Sequence, residues 1–282
     1  MQKCDFHTHS TASDGILTPT EIVKRAYNNN VKYLALTDHD TISGINEAKK
    51  VAKDLSIHLI PGIELSTELN DESIHILGFF KDSSYLDAEF IEFLNTMENN
   101  RLTRAKKMIE KLKINHNIEI SYDSVYKKSN GIIARPHIAR EIIASGYNYD
   151  FNYIFDNFIG KDCPSYVPTT KITPKEGIEF LHKHNALVFL AHPKFIKKTP
   201  IEEFLKLKFD GIEAIYFQNT EEEEKYYLNI AKENNLLVSA GSDCHGNFVD
   251  DYRHGDIGSM NYPSLYLEKF LDALNIKKAE AK

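Results

Sequence analysis

Cysteine is scarce in this 282-residue chain, and its three copies, Cys4, Cys163 and Cys244, lie far apart in the sequence. They show neither the close pairing of a zinc knuckle nor the even number that a disulfide scaffold requires. The composition therefore excludes a small disulfide-rich secreted domain. It favours the reducing cytoplasm, which is the compartment that the sequence predicts.

Long apolar stretches are also missing. The sequence begins Met-Gln-Lys-Cys-Asp-Phe-His, without a signal-peptide segment, and the longest apolar run, Ala186–Ala191, is far too short to cross a bilayer. We expect a soluble, unprocessed protein that has no membrane partner.

Positive charge is in deficit, because 34 Lys and Arg residues face 41 Asp and Glu residues and leave a formal net charge of −7. Such a chain has no overall positive field that would attract polyanions nonspecifically. Any phosphate binding must be local, and no stable binding of duplex nucleic acid is expected. The length suits one barrel, or one barrel that carries an insert.

Short apolar segments alternate with stretches of helical character, which predicts parallel strands covered by helices. Thr18 and Thr173 each precede a proline and an acidic residue, which marks two helix starts. The predicted strands are Lys3–Phe6, Val31–Leu36, Ile57–Ile60, Ile74–Phe80, Leu187–Leu190, Gly211–Phe217 and Leu236–Ala240.

The alternation stops between Phe80 and Leu187, where apolar residues recur at spacings of three and four and predict helices. We interpret residues 81–164 as a helical insertion that contributes to the substrate site. Residues 1–80 and 165–282 then form one discontinuous barrel.

Histidines and carboxylates cluster around the ends of the predicted strands, which is where barrel enzymes assemble their sites. His7 and His9 are two apart on an extended segment, so both imidazoles point to the same side and can meet one cation. The candidate ligands are His7, His9, Asp14, His39, Glu64, His75, His192, Asp243 and His245.

Nine ligands are too many for one tetrahedral ion. A bridged site of two or three cations is therefore the simpler interpretation. Mixed imidazole and carboxylate ligands suit manganese, iron or zinc, whereas calcium would require more oxygen ligands. Manganese is the first choice, with iron and zinc as alternatives. Asp38 and Asp40, which flank His39, are predicted to orient histidine ligands through hydrogen bonds.

Five other histidines are interpreted as structural. His58, His116 and His254 stand alone and are expected to be surface or hydrogen-bonded residues. His182 and His184 share the spacing of two, but they lie on a predicted helix, where such residues face apart.

The motifs around these ligands resemble those of the PHP family, named for polymerase and histidinol phosphatase. The resemblance spans nearly the whole chain and implies an α/β fold, a distorted (β/α)7 barrel with a trinuclear metal site, in which all nine ligand positions are filled. The motifs are Asp5-Phe6-His7-Thr8-His9-Ser10, Thr37-Asp38-His39-Asp40-Thr41, Gly62-Ile63-Glu64-Leu65-Ser66, His75-Ile76-Leu77-Gly78, Ala191-His192-Pro193 and Gly241-Ser242-Asp243-Cys244-His245-Gly246.

A second set of motifs, Ile133–Arg140 with Ile159–Lys161 and Pro164–Pro168, resembles a branch of small bacterial phosphoesterases. That branch includes 3′,5′-nucleotide bisphosphate phosphatases, some of which also act as 5′–3′ exonucleases on short RNA. By analogy, Arg135 is the predicted phosphate clamp, and His137 donates to the phosphate or protonates the leaving group. Lys161 and Lys194 are further phosphate candidates. The structural alternative is that the Arg-Pro-His segment only caps a helix.

The resemblance implies a metal-dependent phosphoesterase that acts on phosphomonoesters of nucleotides and on short 5′-phosphorylated oligonucleotides. Two alternatives stay open. A small-metabolite phosphatase of the histidinol phosphate type would share the metal site but would need a carboxylate that recognises an amine. An accessory PHP module without independent activity, as in bacterial replicative polymerases, is disfavoured by the length of the chain and its complete ligand set.

Overall fold

The computed structural model describes residues 3–129, 133–168, 172–248 and 253–276. The chain divides into two compact units: a barrel unit, Met1–Ile91 with Ile172–Lys282, and an insert unit, Glu92–Lys171. The contribution of the insertion to the substrate site stays a prediction.

Seven strands of the barrel unit form one sheet in chain order. Hydrogen bonds from the Phe6 amide to Ala240 and from the His9 amide to Cys244 connect the first strand region to the last, so the sheet curls into a nearly closed barrel. The predicted α/β barrel is thereby confirmed. The strands are β1 (Lys3–Asp5), β2 (Val31–Leu36), β3 (His58–Leu69), β4 (Glu72–Phe80), β5 (Ala186–Leu190), β6 (Gly211–Tyr216) and β7 (Leu237–Gly241).

Helices follow most of the strands and also form the insert unit. Within the described ranges, no helix combines the length and the apolar character that a membrane span would need. The helices are α1 (Pro19–Asn28), α2 (Ile45–Asp54), α3 (Ala88–His116), α4 (Tyr122–Lys128), α5 (Arg135–Ala144), α6 (Phe151–Ile154), α7 (Pro174–Lys183), α8 (Ile201–Leu205), α9 (Glu221–Glu233) and α10 (Ser264–Ala273).

Strand β4 corrects the expectation that the sheet is parallel throughout, because it runs antiparallel to both β3 and β5. Asn70 and Asp71 join β3 to β4, and both have positive φ angles, of 51° and 59°. A two-residue turn of this kind reverses the chain, whereas a parallel connection needs a long crossover. The start of β4, which carries His75, therefore lies at the same edge of the barrel as the ends of the parallel strands.

Both predicted helix starts are confirmed as capping boxes. The Thr18 hydroxyl accepts from the amide of Glu21 at the start of α1, and the Glu21 carboxylate accepts from the amide of Thr18. Thr173 and Glu176 make the same pair of bonds at the start of α7. These reciprocal bonds satisfy amide groups that have no partner within the helix, so they determine where each helix begins.

Four phenylalanine rings pack together in the core of the barrel unit. Phe6, Phe79, Phe189 and Phe270 are each 0% exposed. The Phe270 ring of α10 is 4.4 Å from that of Phe6, 5.1 Å from that of Phe79 and 5.4 Å from that of Phe189, measured between centroids. Because Phe6 directly precedes His7, this cluster supports the strand end that carries the first histidine pair.

We expect Phe270→Ala to lower the free energy of unfolding by about 3–5 kcal/mol, because it removes a buried ring and leaves a cavity. Leu265→Ala on the same helix is the control: Leu265 is 59% exposed, and its removal should cost within about 0.5 kcal/mol. Urea denaturation of both variants measures the difference. Equal destabilisation by the two substitutions would contradict the role of the ring cluster.

The insert unit has a hydrophobic core of its own. Met108 and Leu112 of α3 and Ile138 and Ile142 of α5 are at most 1% exposed and belong to one cluster. Each pair is four residues apart, which places its members on one face of a helix. A separate core explains why this segment forms a compact unit.

Candidate metal centre

Glu64 of β3 lies among imidazoles from several strands. Its Oε2 is 3.0 Å from Nε2 of both His7 and His9, and its Oε1 is 2.8 Å from Nδ1 of His75 and 2.9 Å from Nε2 of His192. Each carboxylate oxygen therefore faces a different set of imidazoles. A carboxylate in this position can be shared between two cations.

Asp243 completes a group of four ligand atoms on one side of Glu64. Its Oδ1 is 3.4 Å from Nε2 of His7 and 3.1 Å from Nε2 of His9, and the two imidazole nitrogens are 3.0 Å apart. Ligand bonds of about 2.1 Å separate neighbouring ligand atoms by about 3.0 Å in an octahedral sphere and about 3.4 Å in a tetrahedral one. The spacing of these four atoms is that of a coordination sphere.

A second group surrounds Asp14. Its Oδ1 is 3.3 Å from Nε2 of His245 and 3.8 Å from Nδ1 of His9, and its Oδ2 is 3.8 Å from Nε2 of His39. Nδ1 of His39 is in turn 3.2 Å from Oε2 of Glu64, so the two groups are adjacent. The structure thus brings all nine candidate ligands together, while their role as ligands stays a prediction.

Several buried atoms of these groups find no hydrogen-bond partner among the described residues. They include Nδ1 of His9, His39 and His75 and Oδ1 of Asp243. His39 and His75 nevertheless have these atoms within 3.2 Å of Glu64. Short contacts without hydrogen-bond geometry are expected when lone pairs converge on a common point, and buried polar atoms normally have a partner. The donor set therefore fits divalent metal ions.

The pKa values of neighbouring imidazoles shift in opposite directions. Burial lowers the pKa of His9, but the adjacent carboxylates of Asp243 and Glu64 raise it to about 10. For His39 burial prevails and lowers the pKa to about 3. Burial alone would raise the pKa of Glu64, yet the surrounding imidazoles hold it well below its usual range. Divalent cations would offset this concentration of carboxylate charge and bind the imidazoles in their neutral form.

Asp38 and Asp40 contact backbone and serine groups. Asp38 accepts hydrogen bonds from the Ser10 amide at 2.7 Å and from the hydroxyls of Ser10 and Ser13, at 2.8 and 2.7 Å. Asp40 accepts from the Ser66 amide at 2.7 Å. In these contacts Asp38 shapes the loop that leads to Asp14, rather than orienting an imidazole as predicted.

The candidate substrate residues lie in different local environments. Arg135 begins α5, and its guanidinium carbon is 5.6 Å from the ring centroid of Phe155 and 5.7 Å from that of Tyr166. Nδ1 of His137 accepts from the Ala134 amide at 3.0 Å. The helix cap that was the structural alternative is therefore made by His137, not by Arg135. Since Nδ1 accepts, a neutral His137 carries its proton on Nε2 and is a donor there.

The two lysine candidates differ in their surroundings. Lys161 is an exposed residue of the insert unit. Lys194 follows His192 in the barrel unit, and its ammonium donates to the Gln218 carbonyl and, at 2.8 Å, to the Glu223 carboxylate. These two partners engage two of the three donors of the Lys194 ammonium.

Two residues of β6 that were not predicted contact candidate ligands. Oε1 of Glu213 is 2.9 Å from Nδ1 of His7, and the Tyr216 hydroxyl donates to Oδ2 of Asp243 at 3.0 Å. A carboxylate inside an otherwise apolar strand was the available signal for Glu213. Tyr216 offers no such signal, because a tyrosine at a strand end is common in a core.

His254 was expected to lie apart from the site but stands next to it. Its ring stacks on that of His245, with centroids 4.0 Å apart, and its Nε2 is 3.7 Å from Oδ2 of Asp243. His182 and His184 have separate partners, the Asp210 carboxylate at 2.8 Å and the carbonyl of Phe180 at 3.0 Å, as their structural interpretation requires.

The chain is similar in sequence and in fold to known proteins. A profile of the PHP domain matches residues 5–238. Over 251 residues the chain is 34% identical to a 5′-3′ exoribonuclease of Haemophilus influenzae, covering 86% of this chain and 90% of the relative. It is 28% identical over 253 residues to a 3′,5′-nucleoside bisphosphate phosphatase of Chromobacterium violaceum, covering 87% and 88%. A solved structure from Bifidobacterium adolescentis, assigned as a metal-dependent phosphoesterase, matches with a TM-score of 0.79 at 26% identity over 96% of each chain.

Proposed function

The chain belongs to the PHP family, and from this premise we propose that it is a metal-dependent phosphoesterase of nucleotides. Its proposed reactions are hydrolysis of the phosphomonoesters of 3′,5′-nucleotide bisphosphates and hydrolysis of the phosphodiester bonds of short 5′-phosphorylated oligonucleotides, which releases mononucleotides. The observation that carries the proposal is the position of Glu64, whose two oxygens each lie within 3.0 Å of two imidazoles. The exoribonuclease and the bisphosphate phosphatase, which match this chain over 90% and 88% of their own lengths, support this substrate class.

The proposed centre holds two to three divalent ions, with Mn²⁺ as the first choice. His7, His9 and Asp243 would hold one ion together with Glu64, which would also bind a second ion. Bound cations of this kind activate water and stabilise the charge that develops on a phosphate during hydrolysis. His75 and His192 would bind the second ion together with Glu64. Asp14, His39 and His245 would hold a third ion.

Two residues of the insert unit are the proposed substrate residues. The planar guanidinium of Arg135 can donate two parallel hydrogen bonds to nonbridging phosphate oxygens. The Nε2 proton of His137 can be donated to the phosphate or to the leaving oxygen. Because the Arg135 guanidinium lies over the rings of Phe155 and Tyr166, its side chain is held in a limited set of orientations.

We expect kcat/KM for release of inorganic phosphate to be higher with adenosine 3′,5′-bisphosphate than with histidinol phosphate. A short RNA with a 5′ phosphate, analysed for released mononucleotides, tests the oligonucleotide activity in the same buffer. Mn²⁺ is present throughout, and a chelated sample is the control. A preference for histidinol phosphate would contradict the nucleotide assignment and favour the small-metabolite alternative.

A further inference from the structure

We propose that strand β6, which carries none of the nine candidate ligands, positions the metal centre through Glu213 and Tyr216. The inference rests on the proposed function, because it takes His7 and Asp243 to be metal ligands. Each of these two side chains contacts one ligand residue, and it does so at the atom of that residue that faces away from the ion. The opposite atom of the ligand is thereby directed to the metal.

The Glu213 carboxylate binds two groups at once. The residue is 0% exposed; its Oε1 is 2.9 Å from Nδ1 of His7, and its Oε2 accepts from the His192 amide at 2.8 Å. A carboxylate can only accept, so the neutral His7 ring carries its proton on Nδ1. The lone pair of Nε2 is then directed at the atoms of Glu64 and Asp243. Partners of this kind fix both the tautomer and the orientation of a metal-binding histidine.

Tyr216 acts in the same way on Asp243. Its ring is 1% exposed, and its hydroxyl donates to Oδ2 of Asp243 at 3.0 Å. The other oxygen, Oδ1, has no hydrogen-bond partner among the described residues and lies 3.1 Å from Nε2 of His9. The hydroxyl therefore assigns different roles to the two oxygens and leaves Oδ1 for an ion.

The local structure of β6 makes this arrangement possible. Side chains alternate between the two faces of a regular strand, so residues 213 and 216 would face opposite sides. The pairing of β6 with β7 is irregular between Ile212 and Ile215, and such a bulge shifts the alternation by one residue. Both side chains can then contact ligands of the same centre.

Gly241, at the end of β7, leaves the space that Glu213 occupies. A Cβ atom at this position would lie 2.3 Å from Oε1 of Glu213 and 2.3 Å from Cβ of His7. Contacts this short do not occur, so a side chain at residue 241 would separate the carboxylate from the imidazole. The glycine is an independent indication that the close approach of Glu213 to His7 is built into the fold.

Glu213→Gln tests the proposal because an amide has one accepting oxygen where two are needed. If this oxygen serves the His192 amide, the NH2 group faces Nδ1 of His7 and forces the proton onto Nε2, the atom directed at the ion. We expect the tautomer of His7 to change in the chelated protein, as read from long-range ¹H–¹⁵N correlations of ¹⁵N-histidine-labelled samples at a pH at which the His7 ring is neutral. We also expect the affinity for one Mn²⁺ ion to fall roughly 10- to 100-fold, measured by competition with a fluorescent chelator.

Glu176→Gln is the matched control, since it makes the same substitution in the capping box of α7 and should leave Mn²⁺ affinity and the His7 tautomer unchanged. Tyr216→Phe is the second variant; it removes only a hydroxyl and should also weaken one Mn²⁺ ion. Thermal unfolding of the chelated proteins shows whether Glu213→Gln folds. If it does not fold, the Mn²⁺ affinity of Tyr216→Phe tests the proposal. Wild-type Mn²⁺ affinity and tautomer in folded Glu213→Gln, or unchanged affinity in Tyr216→Phe, would overturn the proposal. Absence of Mn²⁺ binding by the wild-type protein would instead contradict the proposed function itself.

Discussion

A Glu64→Gln variant is expected to lose bound metal and phosphoesterase activity together, with kcat/KM lower by on the order of 1000-fold or more. The wild-type carboxylate presents both oxygens to imidazoles at 2.8–3.0 Å. An amide has one accepting oxygen and no charge, so it can neither bridge two cations nor offset their charge. Elemental analysis and phosphate release, measured on one preparation, test both losses.

Glu68→Gln is the control for this variant, because Glu68 lies on the same strand and is only partly buried. It should keep the metal content and the kinetics of the wild type. Circular dichroism of the chelated proteins establishes that both variants are folded. If Glu64→Gln retained full metal occupancy and activity, Glu64 would have to be removed from the proposed centre.

An Arg135→Ala variant is expected to lose about 2–4 kcal/mol of transition-state stabilisation, which is about 30- to 1000-fold in kcat/KM. A forked guanidinium makes charge-assisted hydrogen bonds to phosphate oxygens that alanine cannot replace. Metal content should stay unchanged, since Arg135 is not a candidate ligand. The measurement is paired, with metal stoichiometry and kcat/KM for a nucleotide bisphosphate determined on the same sample.

Two further variants sharpen the interpretation of Arg135. Arg135→Lys keeps the charge but not the fork, so it should recover only part of the lost rate. Arg140→Ala removes an exposed arginine from the same helix and should leave kcat/KM near that of the wild type. Wild-type kinetics in Arg135→Ala, at full metal occupancy, would show that the phosphate clamp is misplaced while leaving the metal centre intact.

Most strand positions could be predicted from sequence because buried strands appear as short apolar runs between helical segments. Strand β3 is the exception, because it was predicted to end at Ile60 but continues through Glu64 to Leu69. The direction of β4 could not be predicted from this alternation, which is the same for a parallel and an antiparallel strand. The Asn70-Asp71 pair was the available signal, since these residues tolerate positive φ in a two-residue turn. Reading that turn would have placed His75 at the start of an antiparallel strand.

The candidate ligands could be predicted because most of them occur in short motifs directly after strands, so local sequence fixes their place on the barrel. His254 lacks such a motif. It follows His245 by nine positions, and its stacking on that ring depends on the path of the intervening chain. The contacts of Tyr216 likewise depend on a strand irregularity that the apolar pattern of β6 does not reveal.

The most direct test of the metal-dependent phosphoesterase assignment is elemental analysis of the purified wild-type protein, combined with phosphate release from adenosine 3′,5′-bisphosphate before chelation, after chelation and after addition of Mn²⁺. We expect two to three divalent ions per chain, loss of activity on chelation and recovery with Mn²⁺. A protein that holds no metal and whose activity survives the chelator would contradict the assignment.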